Sequence, residues 1–482
     1  MSADEVRPQA VVIFGASGDL TRRKILPALY NLAREGLLPE RYAVVGYART
    51  EWDDEAFRAH ARRAIQDFSR TPVDEDVWKR FSDAISYVAG PFDDPGCFAP
   101  LRWRLEDLDE ARGTEGRRLY YCATPPSAFP EIVRRLGEAG IGEDARIVIE
   151  KPFGHDLESA RSLNRTVHDV FHESAVFRID HYLGKETVQN LVVLRFANSL
   201  FERVWNRDAV DHVQITVAEQ VGLEGRGAYY EEAGALRDIV QNHVLQMLAL
   251  LAMEPPRSLE PDAIRDEKVK LLNALRPLDP GGVVRGQYAS GTSDGEVVPG
   301  YLEEEGVAAD SQTETYAALR VIVDNWRWEG VPFYLRTGKR LPRRVTEVTV
   351  VLRRAPAYLF AELGMSPLAP DHLTFRIQPD EGISLAFQAK EPGPGIAPKT
   401  VRMEFDYEGS FEHTPAEAYE RLLLDAMAGD QTLFTREDGV ERAWRVVMPA
   451  LERPGPIHAY PAGSWGPKAA DELIAPRSWH LH

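Results

Sequence analysis

The chain has 482 residues, of which 44% are apolar and 27% are charged, and its formal net charge is −18. Such values are typical of a globular protein with two or three domains, and the acidic balance argues against nonspecific binding to nucleic acid or to anionic membranes. Two cysteines, Cys97 and Cys122, offer no disulfide framework and no metal-ligand spacing, and the acidic N-terminus lacks a signal-peptide core. We therefore expect a cytoplasmic protein, in which an anionic small ligand would need a local cluster of positive groups.

The first third of the chain alternates short apolar runs with amphipathic helical patterns. The predicted elements are strands at 10–14 and 42–47, a helix at 57–68, a strand at 118–122, a helix at 130–139 and a strand at 146–149. This alternation is typical of a parallel sheet with helices on both faces. We therefore predict an N-terminal Rossmann-like dinucleotide-binding domain of the α/β class over residues 1–179.

The pattern changes after residue 180. A strongly helical stretch is predicted at 236–253, and strands with two-residue alternation follow at 316–323, 347–352, 373–377, 383–389 and 401–407, with helices at 416–428 and 439–451. Short turns join several of these strands, so they should pair antiparallel. Residues 180–482 are therefore predicted to form a larger α+β domain with a mainly antiparallel sheet, responsible for substrate binding and oligomerisation.

A glycine-rich turn follows the first predicted strand. Gly15 and Gly18 stand three apart in "GASGDLTRR", and a helix is predicted beyond them. Such a turn directs backbone N–H groups and a helix N-terminus at a phosphate, although this spacing alone also suits an ordinary strand-to-helix turn. Arg49 follows the second strand, where NAD-binding domains carry an acidic residue; a guanidinium there suits a 2′-phosphate and favours NADP. Glu51 lies nearby, so NAD remains an alternative.

Two further polar motifs follow the strands of this domain. Lys151, in "EKPFG", ends the last predicted strand, where ligands bind in such folds, and its bond to Pro152 is a candidate for the cis form. A surface lysine before a turn proline is the commoner situation. "RIDHYLGKE" places a histidine, a phenol and an ammonium within five residues, which suits a phosphate, whereas Asp180 has the chemistry to orient a histidine. The three candidate phosphate ligands are His181, Tyr182 and Lys185.

The helical stretch at 236–253 carries two polar candidates, Asp238 and His243. A histidine on an apolar helix is by itself more often a satisfied core residue than a ligand. A carboxylate–histidine pair, however, would hold an imidazole in the tautomer that takes a proton from an alcohol. Glu219 and Lys339, near predicted strand ends, are further polar residues that carry little information singly.

Taken in order, these motifs resemble the glucose-6-phosphate dehydrogenase family. The stretches that carry the resemblance are "GASGDLTRRKILPALY", "VGYART", "EKPFG", "RIDHYLGKE", "NRDAVDHVQITVAEQVGLEGRGAYY", "RDIVQNHVLQMLALLAME" and "PFYLRTGKRLPRR". The match runs from about residue 10 to beyond residue 465. It implies oxidation of glucose 6-phosphate to 6-phosphoglucono-1,5-lactone with NADP⁺, the first step of the oxidative pentose phosphate pathway, with no metal and in a homodimer or homotetramer.

The resemblance also implies a role for individual residues. His243 is expected to be the general base, and Asp180 the carboxylate that orients it. The residues expected to bind the substrate are Lys151, His181, Tyr182, Lys185, Glu219, Asp238, Lys339 and Arg344. Those expected to bind the cofactor are Gly15, Ala16, Ser17, Gly18, Asp19, Leu20, Thr21, Arg22, Arg49, Tyr121, Pro125 and Lys151.

One position departs from the family pattern, because many members have a lysine where this chain has Arg344. The charge is kept, but the reach and the planar fork of the side chain differ, which puts the details of sugar contact in doubt. Two other functions stay open at this level: a related two-domain oxidoreductase acting on another sugar, and a nonenzymatic sensor of NADP or a sugar phosphate.

Overall fold

The computed structural model describes residues 6–293, 295–363, 368–410 and 416–481. The chain divides into two compact units. Unit 1 comprises Met1–Lys185, Pro256–Asp266 and Ala416–Glu441, and unit 2 comprises Glu186–Pro255, Glu267–Pro415 and Arg442–His482. Two segments from late in the chain therefore pack with the first 185 residues.

Unit 1 is built on a six-stranded, fully parallel sheet with the strand order β3-β2-β1-β4-β5-β6. Its strands are β1 Gln9–Phe14, β2 Tyr42–Ala48, β3 Ile85–Ala89, β4 Arg118–Cys122, β5 Arg146–Ile149 and β6 Val176–Arg178. All six side chains of β1 are buried, as a strand covered on both faces requires. The predicted Rossmann-like parallel sheet is confirmed; β3 and β6 were not among the predicted strands.

The helices alternate with these strands along the first part of the chain. They are α1 Leu26–Arg34, α2 Asp54–Phe68, α3 Glu75–Asp83, α4 Phe98–Arg112, α5 Phe129–Glu138 and α6 Leu157–His168. Pro27 lies in the first turn of α1, where the missing N–H costs nothing. Asp53, Asp74 and Asp156 accept hydrogen bonds from backbone N–H groups at the starts of α2, α3 and α6.

Unit 2 is built on a nine-stranded mixed sheet with the order β16-β15-β14-β13-β7-β12-β11-β8-β17. Its strands are β7 Val210–Ala218, β8 Val283–Ala289, β11 Tyr316–Ile322, β12 Pro332–Gly338, β13 Val345–Leu352, β14 His372–Gln378, β15 Gly382–Lys390, β16 Pro398–Asp406 and β17 Ile457–Pro461; β9 Gly291–Ser293 and β10 Glu296–Val298 form a separate hairpin. Most neighbours are antiparallel, as predicted. Two pairs, β7 with β12 and β8 with β17, are parallel.

The remaining helices complete the two units. They are α7 Glu186–Phe196, α8 Ser199–Glu202, α9 Gly227–Ala235, α10 Leu245–Ala252, α11 Pro261–Ala274, α12 Tyr407–Ser410, α13 Ala418–Ala428, α14 Glu437–Glu452 and α15 Lys468–Ile474. The helical stretch predicted at 236–253 is present, but its first half, Leu236–Val244, is a π-helix that lies against β7 and β12. Within the described ranges, no helix combines the length and apolarity that a membrane crossing requires.

Helix α13 returns late in the chain to pack on the sheet of unit 1. Leu422 and Leu423 are fully buried in the same apolar cluster as β1 and α1. The end of the helix is held by the side chains of Gln9 and Arg146, which donate to the carbonyl of Met427 at 3.0 and 2.6 Å. These donors satisfy carbonyl groups that the helix end leaves without an intrahelical partner. The late helix is therefore an integral part of the first unit.

A buried carboxyl on α13 generates a stability prediction. Asp425 is fully buried, and burial raises its pKa to about 6, although its ion pair with Arg421 acts in the opposite direction. The folded pKa lies above the unfolded value of about 3.9, so the folded state binds this proton more tightly than the unfolded state does. Proton binding therefore stabilises the folded state at low pH, and this stabilisation is lost as pH rises through 6. We expect Asp425→Asn to raise the free energy of unfolding at pH 8 by about 1–3 kcal/mol.

The gain should shrink as pH falls toward 4, which urea titrations between pH 4.5 and 8 would measure. Asp107→Asn is the matched control, because Asp107 is exposed on α4 and its replacement should give no comparable pH-dependent gain. A gain in Asp425→Asn that is the same at every pH would contradict the prediction.

Candidate active site

The glycine-rich turn of unit 1 connects β1 with the first helical segment. Gly15 N donates to Tyr47 O at 2.9 Å, and Gly18 N and the Thr21 hydroxyl both donate to Gly15 O, at 2.9 and 3.0 Å. A π-helical turn, Thr21–Ile25, then leads into α1. Ala16 and Thr21 are buried, whereas Ser17 is partly exposed. Burial of these two residues and the hydrogen bonds of Gly15, Gly18 and Thr21 fix the conformation of the turn. The arrangement suits backbone binding of a pyrophosphate.

Gly15 is required by two features of this turn. Its φ of +84° lies in the left-handed region, which side-chain-bearing residues rarely adopt. A Cβ built on Gly15 would lie 2.4 Å from the carbonyl oxygen of Ala123 and 3.2 Å from the side chain of Thr124. The residues that follow β4 therefore leave room only for a glycine at position 15. The backbone of this turn, the nucleotide cradle of residues 15–18, stays accessible to a ligand.

The residues after β2 lie beside the turn. The Thr50 hydroxyl donates to the Ser17 hydroxyl at 3.0 Å, so the end of β2 is tied directly to the glycine-rich segment. Arg49, one residue earlier, is exposed. Thr50 was not predicted as a site residue, although it stood next to Arg49 in the motif "VGYART".

Two of the predicted cofactor residues after Gly18, Asp19 and Leu20, line a cleft next to the turn. Its volume is about 440 Å³, and it is lined by Asp19, Leu20, Arg23, Lys24 and Phe68. The guanidinium of Arg22 lies 5.0 Å from the centre of the Phe68 ring, a cation–π contact that orients it. Three positive side chains, Arg22, Arg23 and Lys24, thus lie beside the turn, where Arg23 pairs with Asp19 and Lys24 pairs with Glu417.

Tyr121 and Pro125, the other predicted cofactor residues, lie at and beyond the end of β4. Pro125 is exposed and begins a short 3₁₀ turn, whereas Tyr121 is fully buried. The Tyr121 hydroxyl donates to the carboxylate of Glu150 at 2.6 Å. Glu150 comes directly after β5 and immediately before Lys151, which is partly exposed and joined to Pro152 by a cis bond, as predicted.

The motif after β6 forms tight turns. Asp180 is 4% exposed, and its carboxylate accepts the backbone N–H of Tyr182 at 3.0 Å. The rings of His181 and Tyr182 lie 4.9 Å apart, and the ammonium of Lys185 lies 5.6 Å from the Tyr182 ring. The structure therefore brings the three predicted phosphate ligands together around one phenol ring.

In unit 2, the π-helix carries both polar candidates of the helical stretch. Its i→i+5 hydrogen bonding places Asp238 and His243, five residues apart, about one turn from each other. His243 is completely buried, and its backbone N–H donates to the Asn242 side chain at 2.6 Å. The same side chain donates to Asp238 O at 2.9 Å. Single-turn π segments are rare and occur frequently at functional sites.

A second group of polar residues lies where β7 and β12 end. Because this pair is parallel, Glu219 and Lys339 follow directly on neighbouring strand ends, and the Lys339 ammonium lies 2.7 Å from the Glu219 carboxylate. The ammonium also lies 5.2 Å from the ring of Tyr230. Burial raises the pKa of Tyr230 well above its ordinary value, and the nearby charges of Asp238 and Glu219 raise it further.

The structure therefore gathers Glu219, Asp238 and Lys339 around the aromatic pair Tyr229 and Tyr230. The Tyr229 hydroxyl donates to the Asp238 carboxylate at 3.3 Å. Neither tyrosine was predicted from the sequence, although both end the quoted stretch "GLEGRGAYY". Arg344 is exposed before β13 and donates to the Gln378 side chain at 3.2 Å.

Comparisons with known proteins give one consistent result. The model described as "Glucose-6-phosphate dehydrogenase, NAD binding domain" matches residues 12–190, and the model described as "Glucose-6-phosphate dehydrogenase, C-terminal domain" matches residues 192–480. The chain is 50% identical over 478 residues to glucose-6-phosphate 1-dehydrogenase 2 of Mycobacterium tuberculosis, covering 97% of this chain and 93% of the relative. It is 46% identical over 490 residues to glucose-6-phosphate 1-dehydrogenase of Chlamydia pneumoniae, with 98% and 96% coverage.

Solved structures agree with the sequence relatives. Glucose-6-phosphate 1-dehydrogenase from Mycobacterium avium superposes with a TM-score of 0.85 at 41% identity, covering 98% of this chain and 99% of the other. A glucose-6-phosphate dehydrogenase in complex with its substrate glucose 6-phosphate superposes with a TM-score of 0.90 at 37% identity, covering 99% of both chains.

The steric argument at Gly15 makes a prediction for the nucleotide cradle. Gly15→Ala adds a Cβ against the Ala123 carbonyl at a positive φ, so we expect a loss of about 2–5 kcal/mol of stability. Binding of a reduced nicotinamide dinucleotide, followed by its fluorescence, should fall below detection. Gly36→Ala is the control: Gly36 also has a positive φ, +69°, but has no atom within 4 Å of the added Cβ. That variant should bind the dinucleotide normally, and normal binding by Gly15→Ala would refute the assignment of the cradle.

Proposed function

The chain belongs to the glucose-6-phosphate dehydrogenase family, and we propose that it oxidises glucose 6-phosphate to 6-phosphoglucono-1,5-lactone with NADP⁺ as hydride acceptor. This is the entry reaction of the oxidative pentose phosphate pathway. The observation that carries the proposal is the cluster after β6. There, His181 and Lys185 both lie close to the Tyr182 ring and supply the local cationic and hydrogen-bonding groups that a phosphate needs in an acidic chain.

The cofactor assignment rests on the end of β2. Arg49 is exposed beside the glycine-rich turn, and no acidic residue stands at its position to bind a ribose 2′-hydroxyl. The hydroxyls of Ser17 and Thr50, held together at 3.0 Å, add donors next to the guanidinium. Such a set suits a 2′-phosphate. NAD⁺ is the weaker alternative, since Glu51 lies nearby in the sequence. When bound, the oxidised nicotinamide ring supplies the hydride acceptor.

The proton chemistry is assigned to His243. Oxidation of the sugar requires removal of the C1 hydroxyl proton while the C1 hydrogen leaves with its electron pair as hydride; the imidazole takes the proton and the C1 carbonyl of the lactone forms. Asp180 is assigned as the carboxylate that orients this imidazole and stabilises the imidazolium, as the family resemblance implies. The reaction is balanced by one base and one hydride acceptor, so this assignment requires no metal ion.

Sugar recognition is assigned to the group at the ends of β7 and β12. Glu219 and Asp238 supply acceptors and Lys339 supplies donors, which together match the hydroxyl groups of a hexose. Lys151, at the end of β5 in unit 1, is assigned to the sugar and the cofactor. Arg344 is assigned to the substrate with a fork geometry that differs from that of a lysine.

We expect the active protein to be a homodimer or homotetramer, and this stays a prediction. A cytoplasmic location is also proposed. It is supported by Cys97 and Cys122, which are both free thiols in the structure, in keeping with a reducing compartment.

The base assignment predicts the behaviour of His243→Asn. Because Asn cannot accept the hydroxyl proton, kcat with glucose 6-phosphate and NADP⁺ should fall by about 10²–10⁴-fold, with little change in nucleotide binding. Absorbance of the reduced nicotinamide measures turnover. His212→Asn is the control, because His212 is also buried in unit 2 but pairs with Asp211 on β7; its kcat should stay within about twofold if the protein folds normally. Undiminished turnover in His243→Asn would leave the base unassigned.

Phosphate recognition predicts a substrate-dependent effect of Lys185→Ala. Loss of one charge-assisted contact should raise KM for glucose 6-phosphate by about 10- to 100-fold. Turnover of unphosphorylated glucose, which lacks that charge, should change little in the same variant. An equal loss on both substrates would favour an oxidoreductase for another sugar. Binding of both ligands by the wild type without any turnover would instead favour a sensor.

A further inference from the structure

A buried carboxylate lies next to the proposed phosphate site in unit 1. Glu150 is 8% exposed at the end of β5. It accepts hydrogen bonds from the hydroxyls of Tyr121, at 2.6 Å, and Tyr419. Burial raises the pKa of Glu150, while the two phenol donors and the charge of Lys151 act in the opposite direction. Two strong hydrogen-bond donors hold this buried carboxylate in place, because the loss of either donor would leave one of its oxygen lone pairs unsatisfied.

Tyr419 connects this carboxylate with His181. Its ring lies parallel to the imidazole, with an interplanar angle of 10° and ring centres 6.3 Å apart. His181 also contacts the Tyr182 ring, and Lys185 lies over that ring. The four side chains therefore form an alternating series of phenol, imidazole, phenol and ammonium. Aromatic faces carry partial negative charge, so the Lys185 ammonium is attracted to the Tyr182 ring.

The backbone of Tyr419 is fixed independently of this series. It is the second residue of α13, and the neighbouring Glu420 accepts from Asn31 on α1 at 2.8 Å and pairs with Arg70. Glu417, just before the helix, pairs with Lys24 at 2.9 Å. Burial raises the pKa of Tyr419 well above its ordinary value, and the charges of Glu150 and Asp180 raise it further. The phenol therefore stays a neutral donor throughout the range in which the protein works.

We propose that Tyr419 is a positioning residue for substrate phosphate: its hydroxyl is anchored by Glu150, and its ring holds the His181 imidazole in the orientation that binds the phosphate group. The proposal rests on the proposed function, since it assigns to Tyr419 a role in that same site. Tyr419 acts through His181 and needs no contact with the substrate. The interaction that it supports is specific for a phosphorylated sugar.

The test compares two substrates in variants of the full-length protein. Tyr419→Phe keeps the ring but removes the donor to Glu150, and Tyr419→Leu removes the flat surface against His181 as well. Tyr120→Phe is the matched control, because Tyr120 is a fully buried tyrosine of β4 whose hydroxyl donates to Ile141 O at 2.6 Å. The kcat and KM values for glucose 6-phosphate, for glucose and for NADP⁺ would be measured in each, together with the melting temperature.

For Tyr419→Phe we expect KM for glucose 6-phosphate to rise by about 5- to 20-fold, with kcat and KM for NADP⁺ within about twofold of wild type. Tyr419→Leu should show a larger rise in the same constant. The kcat/KM for glucose should be nearly unchanged in Tyr419→Phe, so the preference for the phosphorylated sugar falls. Tyr120→Phe should retain the wild-type preference even where its melting temperature drops.

Two results would overturn the proposal. Equal losses of kcat/KM on glucose and glucose 6-phosphate in Tyr419→Phe would mean that the hydroxyl only stabilises the fold. An unchanged KM for glucose 6-phosphate in both Tyr419 variants would mean that His181 needs no such support. Failure of the proposed function is distinguished from either result by the wild-type arm, which would then show no turnover of glucose 6-phosphate.

Discussion

Parallel strand pairing is the constraint on which the candidate site depends, because the carboxyl ends of parallel neighbours meet at one edge of a sheet. In unit 1, this edge collects the glycine-rich turn after β1, Arg49 after β2, Glu150 after β5 and the phosphate motif after β6. The same rule applies at the centre of the mostly antiparallel sheet of unit 2. There, β7 and β12 run parallel, and Glu219 and Lys339 form their ion pair directly beyond the two strand ends. Two sheets of different class thus present their polar groups by the same geometric means.

Aromatic neighbours stabilise the buried charges at the strand ends of both sheets. Glu150 is held by phenol hydroxyls, and Lys339 lies over the Tyr230 ring in addition to its ion pair with Glu219. Phenol donors offset the desolvation of a carboxylate without adding a countercharge, and a ring face adds an attraction for a cation.

The sequence predicted much of this arrangement because its signals are local. Strands β1, β2, β4 and β5 of unit 1 and β11, β13, β14, β15 and β16 of unit 2 were identified from apolar runs and alternation, each to within three residues at both ends. Strand β6 has only three residues, too few for a period to be read. Strand β7 was not among the predicted strands, although His212, Gln214 and Thr216 alternate with apolar residues along it. The π-helical geometry at Leu236–Val244 has no sequence period that distinguishes it from an α-helix. The residues of the site were named from motifs, whereas their mutual contacts required the register of the strands.

The packing of α13 in unit 1 could not be predicted from local sequence patterns, for a different reason. Its sequence predicts an amphipathic helix, but nothing in it indicates that its apolar face packs against β1 and α1, some 400 residues earlier in the chain. That packing depends on hydrogen bonds from Gln9 and Arg146 to the end of the helix and from Asn31 to Glu420. In the sequence, each of these polar residues would be expected at the surface. Once the helix is docked, its second residue, Tyr419, reaches Glu150 and His181 together. A late segment thereby completes the surroundings of the phosphate motif at residues 178–186, so under the proposed role of Tyr419 the orientation of His181 depends on the docking of a helix that lies more than 230 residues later in the chain.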